Sequence, residues 1–149
     1  MKALIQRVSS ASVSVDGECC ASISRGFLVF LGVTHGDTKE TAEKLAEKIR
    51  KLRIFEDEEG KMNQSLLQKS GEMLVVSQFT LYGDVRHGRR PSFTAAAPPD
   101  LANRLYEEFV QYVEKQGVRV ATGVFQTEMV VSLDNHGPVT ILLDSKKEF

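Results

Sequence analysis

The chain has 149 residues, of which 42% are hydrophobic and 26% charged, and its 19 Lys and Arg against 20 Asp and Glu leave a formal charge of −1. A chain of this size buries roughly 70% of its unfolded surface around one core, so we expect a single domain over residues 1–149. The near-neutral balance excludes a protein that attracts nucleic acid or anionic membrane over its whole surface. Any contact with RNA is therefore expected to be local.

The chain shows no signal of export or of membrane insertion. Charged residues already stand at Lys2 and Arg7, which is unlike the apolar core of a signal peptide. The longest apolar stretch, residues 27–33, is far shorter than the roughly 20 residues that cross a bilayer. Cys19 and Cys20 have no metal-ligand or disulfide-framework spacing, and we predict buried or half-buried strand thiols. We expect a cytoplasmic protein without membrane contact, metal or cofactor.

The first third of the chain is typical of β-strands. Residues 3–8 and 11–15 are rich in Val, Ile and Ser, Asp16-Gly17 is a strong hairpin signal, and residues 18–24 continue as the return strand. Residues 27–33 are continuously apolar, which predicts a central strand that is covered on both faces.

Two segments have the spacing of amphipathic helices. The first follows Asp37, which with Glu40 forms a capping-box pattern, and Pro98-Pro99-Asp100 opens the second, which Gly117 ends. Apolar residues at helical spacing mark the faces that we expect to be buried. These residues are Ala42, Leu45, Ala46, Ile49 and Leu52 in the first helix and Leu101, Leu105, Phe109, Tyr112 and Val113 in the second.

The remaining apolar segments predict further strands, and together with the two helices they indicate an α+β fold. The predicted strands cover residues 52–55, 72–78, 118–124, 127–133 and 139–144, and a loop over residues 134–138 joins the last two. No internal repeat or Pro/Ser/Gly-rich linker divides the chain, which again favours one domain.

Polar residues follow the apolar run that ends at Val76. If residues 77–82 continue as a strand, alternation places Gln78 and Thr80 on one face, where both could project into a pocket. The alternative is structural, since Thr is a good strand former and Gln is common at sheet edges.

Asn135-His136-Gly137-Pro138-Val139-Thr140 is a second distinctive segment. The pattern alone indicates a hairpin loop with a trans Gly-Pro bond, because only about 5 to 6% of X-Pro bonds in folded proteins are cis.

Arg86, Arg89 and Arg90 form a local basic cluster between the aromatic residues Tyr82 and Phe93. Such clusters are usually solvated faces. Arginine also pairs well with phosphate, and flanking aromatic rings can stack on the bases of a single strand.

Two segments resemble the paired signature motifs of the D-aminoacyl-tRNA deacylases. They are Ser77-Gln78-Phe79-Thr80-Leu81 and Asn135-His136-Gly137-Pro138-Val139-Thr140. The resemblance covers the whole chain and includes Arg89-Arg90-Pro91-Ser92-Phe93. His136 stands where the family often has an acidic residue, and Gly83 where Ala is common. The resemblance implies mostly antiparallel strands in a barrel-like sheet pair, covered by the two helices.

The resemblance also implies a homodimeric hydrolase that acts in translation quality control. It would cleave the ester that joins a D-amino acid to the terminal ribose of tRNA, and it would accept glycyl-tRNA. L-aminoacyl-tRNA would be rejected by a cis Gly137-Pro138 unit that one subunit inserts into the site of the other. This expectation replaces the trans bond that the pattern alone indicates.

Site residues follow from the resemblance position by position. The resemblance implies catalytic roles for Ser77, Gln78, Phe79 and Thr80, and substrate contacts for Met129, Asn135, Gly137 and Pro138. It also implies that Arg7 supports the Gly-Pro unit and that Arg86, Arg89 and Arg90 contact tRNA. Two routes of hydrolysis stay open: Thr80 as the nucleophile, or water assisted by the ribose 2′-hydroxyl with main-chain amides near Phe79 and Thr80 binding the oxyanion.

Two other classes of function also remain open from the residues. A nucleic-acid-binding module without catalysis would use the three arginines and the aromatic rings. A small-molecule esterase would need Thr80 or Ser77 as its nucleophile.

Overall fold

A computed structural model describes residues 1–148 of the chain. It contains eight strands and two α-helices: β1 (Lys2–Val15), β2 (Glu18–Ile23), β3 (Gly26–Gly32), α1 (Lys39–Arg50), β4 (Phe55–Glu56), β5 (Met62–Gln64), β6 (Glu72–Ser77), α2 (Pro99–Lys115), β7 (Val120–Thr122) and β8 (Val130–Asp144). Six strands form one sheet in the order β2-β1-β3-β6-β7, with β8 paired to β1. The mixed sheet is a nearly closed barrel with two helices, which confirms the predicted α+β, barrel-like fold.

The centre of the sheet matches the apolar pattern. β3 pairs antiparallel with β1 and parallel with β6, and nearly all of its side chains are buried. β6 in turn pairs parallel with β7. The predicted central strand is therefore confirmed, and the sheet combines antiparallel and parallel pairs.

The two helices pack against each other and cover one face of the sheet. Ala42, Leu45, Ala46 and Ile49 of α1 join the core with Leu105, Phe109 and Val113 of α2, together with alternate residues of β1. Gly117 has a φ of +90°, which suits a residue that ends a helix. The predicted helices are confirmed, except that Leu52 lies beyond the end of α1 at Arg50 and that α1 is capped by Thr38 and Thr41 instead of Asp37 and Glu40. Neither helix in the described part of the chain is long and apolar enough to cross a membrane.

The carboxylate of Asp37 makes other contacts, which explains why the prediction that Asp37 caps α1 is wrong. Its carboxylate accepts hydrogen bonds from the Met1 ammonium at 2.9 Å and from the Thr34 amide at 2.8 Å. Both contacts are buried, so Asp37 ties the start of β1 to the loop that follows β3.

β1 and β8 are each one long strand, where the sequence predicts two shorter ones. Asp16 and Gly17 both have positive φ, as the predicted hairpin turn requires. The predicted loop over residues 134–138 is wrong, because the segments on both sides of it pair with the same neighbour, β1. The loop is instead a bulge within β8: Gln6 pairs with Thr140 and Val8 with Asn135, so residues 136–139 lie opposite Arg7.

The prediction of buried or half-buried thiols is also wrong. Cys19 and Cys20 are both exposed. They follow the hairpin turn on β2, an edge strand, and the β1–β2 register shifts beside them. A residue on an edge strand has a neighbouring strand on one side only, so less of its side chain is covered.

Candidate active site

A cavity of about 660 Å³ lies at the end of β3 and β6. Its wall includes Ser77, Gln78 and Phe79 from the first signature motif and Met129 from the segment before β8. Phe93, Phe125 and Pro99 add apolar surface. The structure thus brings these four predicted site residues to one concave surface, the main cavity.

The first motif leaves the sheet at Gln78. The Gln78 amide still bonds to the Leu31 carbonyl at 2.8 Å, and the chain then forms a single 3₁₀ turn over Phe79–Tyr82. The predicted continuation of the strand is wrong, because β3 ends at Gly32 and offers the segment no further partner. The first amides of such a turn have no acceptor within it, so those of Phe79 and Thr80 are available to a ligand.

Gln78 and Thr80 nevertheless lie close together, although Gln78 lines the main cavity and Thr80 does not. The Gln78 side-chain amide donates a hydrogen bond to the Thr80 hydroxyl. Thr80 is exposed, and within residues 1–148 no acidic, basic or imidazole group is bonded to its hydroxyl. Phe79 is 55% exposed and packs edge-on against Phe93, with ring centroids 5.0 Å apart.

The second motif is a bulge held from both sides. Asn135 closes its base, because its Oδ1 accepts from the Val139 amide at 2.8 Å and its amide nitrogen donates to the Thr140 hydroxyl at 2.9 Å. Arg7 is buried and donates from Nε to the His136 carbonyl at 2.9 Å and from a terminal nitrogen to the Ile54 carbonyl at 2.8 Å.

The Gly137–Pro138 peptide bond in the middle of this bulge is cis, in contrast to the trans bond that the pattern alone indicates. Gly137 has a φ of +136°, and a Cβ there would lie 2.7 Å from Cγ2 of Val139. Only glycine fits without a shift of its neighbours. Both residues are exposed, and neither lines the main cavity of the described chain.

The three arginines of the basic cluster differ in their contacts. Arg86 donates to the Asp84 carboxylate at 2.7 and 2.9 Å, and this pairing holds the pKa of Asp84 well below its usual range. Arg89 and Arg90 are exposed and have no ion pair within residues 1–148. The loop that carries them is closed by Asp84 and Ser92, next to Phe93 at the main cavity.

Sequence reasoning missed part of the cavity wall. Phe125, Gln126 and Thr127 lie in a turn in which Gln126 has a positive φ, and Pro99 and Ala102 come from the start of α2. The sequence places Thr127 in a predicted strand and Pro99 and Ala102 in the second predicted helix, and it gives no signal that any of them lines a cavity. No group of three or more His, Cys, Asp or Glu side chains in residues 1–148 is arranged to hold a metal ion.

Comparison with known proteins gives a consistent result. Residues 4–144 match the family model described as D-Tyr-tRNA(Tyr) deacylase. Proteins named D-aminoacyl-tRNA deacylase from Koribacter versatilis and Thermosipho africanus are 60% and 58% identical, and each match covers the whole of both chains.

Solved structures share the fold. That of a protein named c-Myc DNA Unwinding Element Binding Protein is 42% identical, covers 97% of this chain and 98% of its own, and has a TM-score of 0.91. That of a probable eukaryotic D-amino acid tRNA deacylase is 20% identical, covers 95% of this chain and 97% of its own, and has a TM-score of 0.81, which supports the fold alone. By its full-length match to the curated relatives and to the family model, this chain belongs to the D-Tyr-tRNA(Tyr) deacylase family and is a hydrolase.

Proposed function

We propose that the chain hydrolyses the ester between a D-amino acid and the terminal ribose of tRNA, and that it also removes glycine from mischarged tRNA. It acts in the cytoplasm as a proofreading enzyme of translation and releases free D-amino acid and tRNA. The observation that carries the proposal is the arrangement of the two motifs. Ser77, Gln78 and Phe79 of the first motif line the main cavity, whereas the second motif is a braced bulge whose exposed Gly137 and Pro138 do not line it.

A homodimer reconciles these two positions. In the proposed site, Gly137 and Pro138 of one subunit enter the main cavity of the other. Their carbonyl oxygens accept hydrogen bonds from the α-ammonium of the substrate and fix its Cα at close range. Arg7 and Asn135 hold the bulge in place, which is the supporting part that the resemblance gives to Arg7.

Chirality is then sensed at Cα. With the ammonium and the ester carbon both held, a D side chain points out of the pocket, whereas the Cβ of an L residue is driven into the carbonyl wall. Glycine has no Cβ and is accepted. A discrimination of 10³ needs about 4 kcal/mol, which a rigid clash supplies more readily than a missing contact. Many different D side chains should be tolerated.

The contacts of Thr80 support attack by water. A hydroxyl nucleophile needs a neighbouring base, and the described contact of the Thr80 hydroxyl is with the amide of Gln78, which is not a base. In the proposed mechanism the ribose 2′-hydroxyl assists the attacking water. The amides of Phe79 and Thr80 stabilise the oxyanion that forms on the ester carbonyl.

One assay tests the function. The protein is incubated with D-tyrosyl-tRNA, glycyl-tRNA, L-tyrosyl-tRNA and D-tyrosine ethyl ester, and the release of free amino acid is followed. We expect hydrolysis of the first two alone. Hydrolysis of the ethyl ester at a similar rate would favour a small-molecule esterase, and rapid hydrolysis of the L-ester would contradict the steric gate.

A nucleic-acid-binding role without catalysis is the second candidate. It is favoured by the 42% identical protein of known structure, whose name describes a DNA unwinding element binding protein, and by exposed Arg89 and Arg90. This role predicts salt-dependent binding of DNA without any loss of ester from aminoacyl-tRNA. The same assay therefore distinguishes the two candidates.

A further inference from the structure

A second cavity, of about 490 Å³, lies along α1 from Glu40 to Lys48. Its walls come from the loop after β3, from α1, from the end of β8 and from the segment that follows β8. Four lysines line it: Lys44, Lys48, Lys146 and Lys147. We call it the lysine cavity.

Cationic side chains outnumber anionic ones at this cavity, with four lysines against three carboxylates. Two of its carboxylates already have cation partners, because Asp37 lies 2.9 Å from the Met1 ammonium and Glu40 lies 2.7 Å from Lys44. The third, Asp144, is buried. By contrast, Lys48, Lys146 and Lys147 are exposed, and in the described part of the chain none has a carboxylate within 4.0 Å.

The lysine cavity and the main cavity are neighbours. Val33 lines the main cavity and Gly36 the lysine cavity, and three residues of chain span at most about 11 Å. The loop between them is fixed to residues 94–97. The Thr34 hydroxyl donates to the Ala95 carbonyl at 2.5 Å, and the Ala97 amide donates to the Val33 carbonyl at 2.9 Å.

We propose that the lysine cavity binds the sugar–phosphate backbone of the tRNA acceptor arm while the aminoacylated 3′ end occupies the main cavity. This inference rests on the proposed function. Lysine ammonium groups attract phosphates without reading bases, so the surface adds affinity for any tRNA. In a molecule of formal charge −1, such a local cluster is where an RNA backbone is attracted.

The test compares two sets of substitutions that remove equal charge. The first is the triple variant Lys48→Gln, Lys146→Gln and Lys147→Asn, in which Asn suits the φ of +56° at residue 147. The control triple variant is Lys61→Gln, Lys69→Gln and Lys115→Gln, whose lysines line neither cavity. Each protein is assayed with D-tyrosyl-tRNA and with 3′-(D-tyrosyl)adenosine, which has no acceptor arm. Binding of an uncharged acceptor-stem RNA hairpin is measured in parallel.

For the first variant we expect kcat/KM on the full tRNA to fall at least tenfold, with less than a twofold change on the adenosine ester. The slope of log kcat/KM against log salt should shrink by about 2 to 3, since each phosphate contact contributes roughly 0.9. The control variant should match the wild type on both substrates.

Two results would overturn the proposal: an equal loss on both substrates, or a loss on tRNA that the control variant shares. Failure of the proposed function looks different, because the wild type would then hydrolyse neither ester. Weaker binding of the RNA hairpin by the first variant alone would still support the docking surface in that case.

Discussion

Arg7 is a charged residue that is only 4% exposed, so its guanidinium has left water and needs other hydrogen-bond acceptors. It finds them in the carbonyls of His136 and Ile54, which come from different parts of the chain. Leaving a buried neutral group unpaired costs about 1 to 3 kcal/mol and leaving a buried charge unpaired costs more, so the bulge and Arg7 depend on each other. Within the sequence, Arg7 is 129 positions from His136, and only the family resemblance linked the two.

Thr80→Val separates the two routes of hydrolysis. We expect kcat on D-tyrosyl-tRNA to stay within about tenfold of wild type, or 1.4 kcal/mol in activation free energy, because the route through water needs the Thr80 amide and not its hydroxyl. Single-turnover rates at saturating enzyme measure this step. As the companion experiment, a tRNA that ends in 2′-deoxyadenosine should lose far more rate than Thr80→Val does. Abolished turnover with normal binding and fold would instead make Thr80 the nucleophile.

For the secondary-structure elements, the sequence indicates which segments favour strands but not which neighbouring strand each one pairs with. Residues 77–82 alternate like a strand, yet they form a 3₁₀ turn because β3 has ended. Residues 134–138 have the composition of a hairpin loop, yet they bulge from one strand because β1 is long enough to pair on both sides of them. Both errors fall at the candidate site, where regular strand pairing is interrupted and main-chain groups are exposed.

The contact between the helices gives a prediction for stability. Glu47 of α1 accepts a hydrogen bond from the hydroxyl of Tyr112 on α2 at 3.0 Å, and Lys51 and Arg50 lower its pKa from 4.5 to about 2. Because the folded state lowers this pKa, the stabilisation is complete above pH 4.5 and is lost as the pH falls towards 2. Glu47→Gln should therefore lower the free energy of unfolding at pH 7 by about 0.5 to 1 kcal/mol.

Urea denaturation at pH 7 and at pH 3 measures this effect. The difference in the free energy of unfolding between Glu47→Gln and wild type should be smaller at pH 3 than at pH 7. Glu114→Gln, an exposed position on α2 without an ion pair among residues 1–148, serves as the matched control and should change little. A difference that is independent of pH would mean that packing, and not charge, accounts for the loss.

For the whole molecule, composition and periodicity sufficed for the α+β class, the central strand and both helices, because these depend on local patterns of burial. The order of the strands and the parallel pairs of β3–β6 and β6–β7 depend on contacts between distant segments, which periodicity does not encode. The candidate site was predicted correctly only in part. Ser77, Gln78 and Phe79 do line the main cavity, but Gly137 and Pro138 lie elsewhere on the described chain, as expected if a second copy completes the site.

A mixing experiment tests this division of the site directly. Gln78→Ala damages the cavity wall, and Gly137→Ala damages the bulge, where the added Cβ meets Cγ2 of Val139 at 2.7 Å. Each variant alone should be nearly inactive on D-tyrosyl-tRNA. After subunits exchange at equal amounts, half of the dimers are mixed, and by two-fold symmetry each mixed dimer has one site with an intact cavity and an intact bulge. We therefore expect about a quarter of wild-type activity. If cavity and bulge of the same chain formed the site, the mixture would give only the mean of the two parent variants, and light scattering would show whether dimers had formed at all.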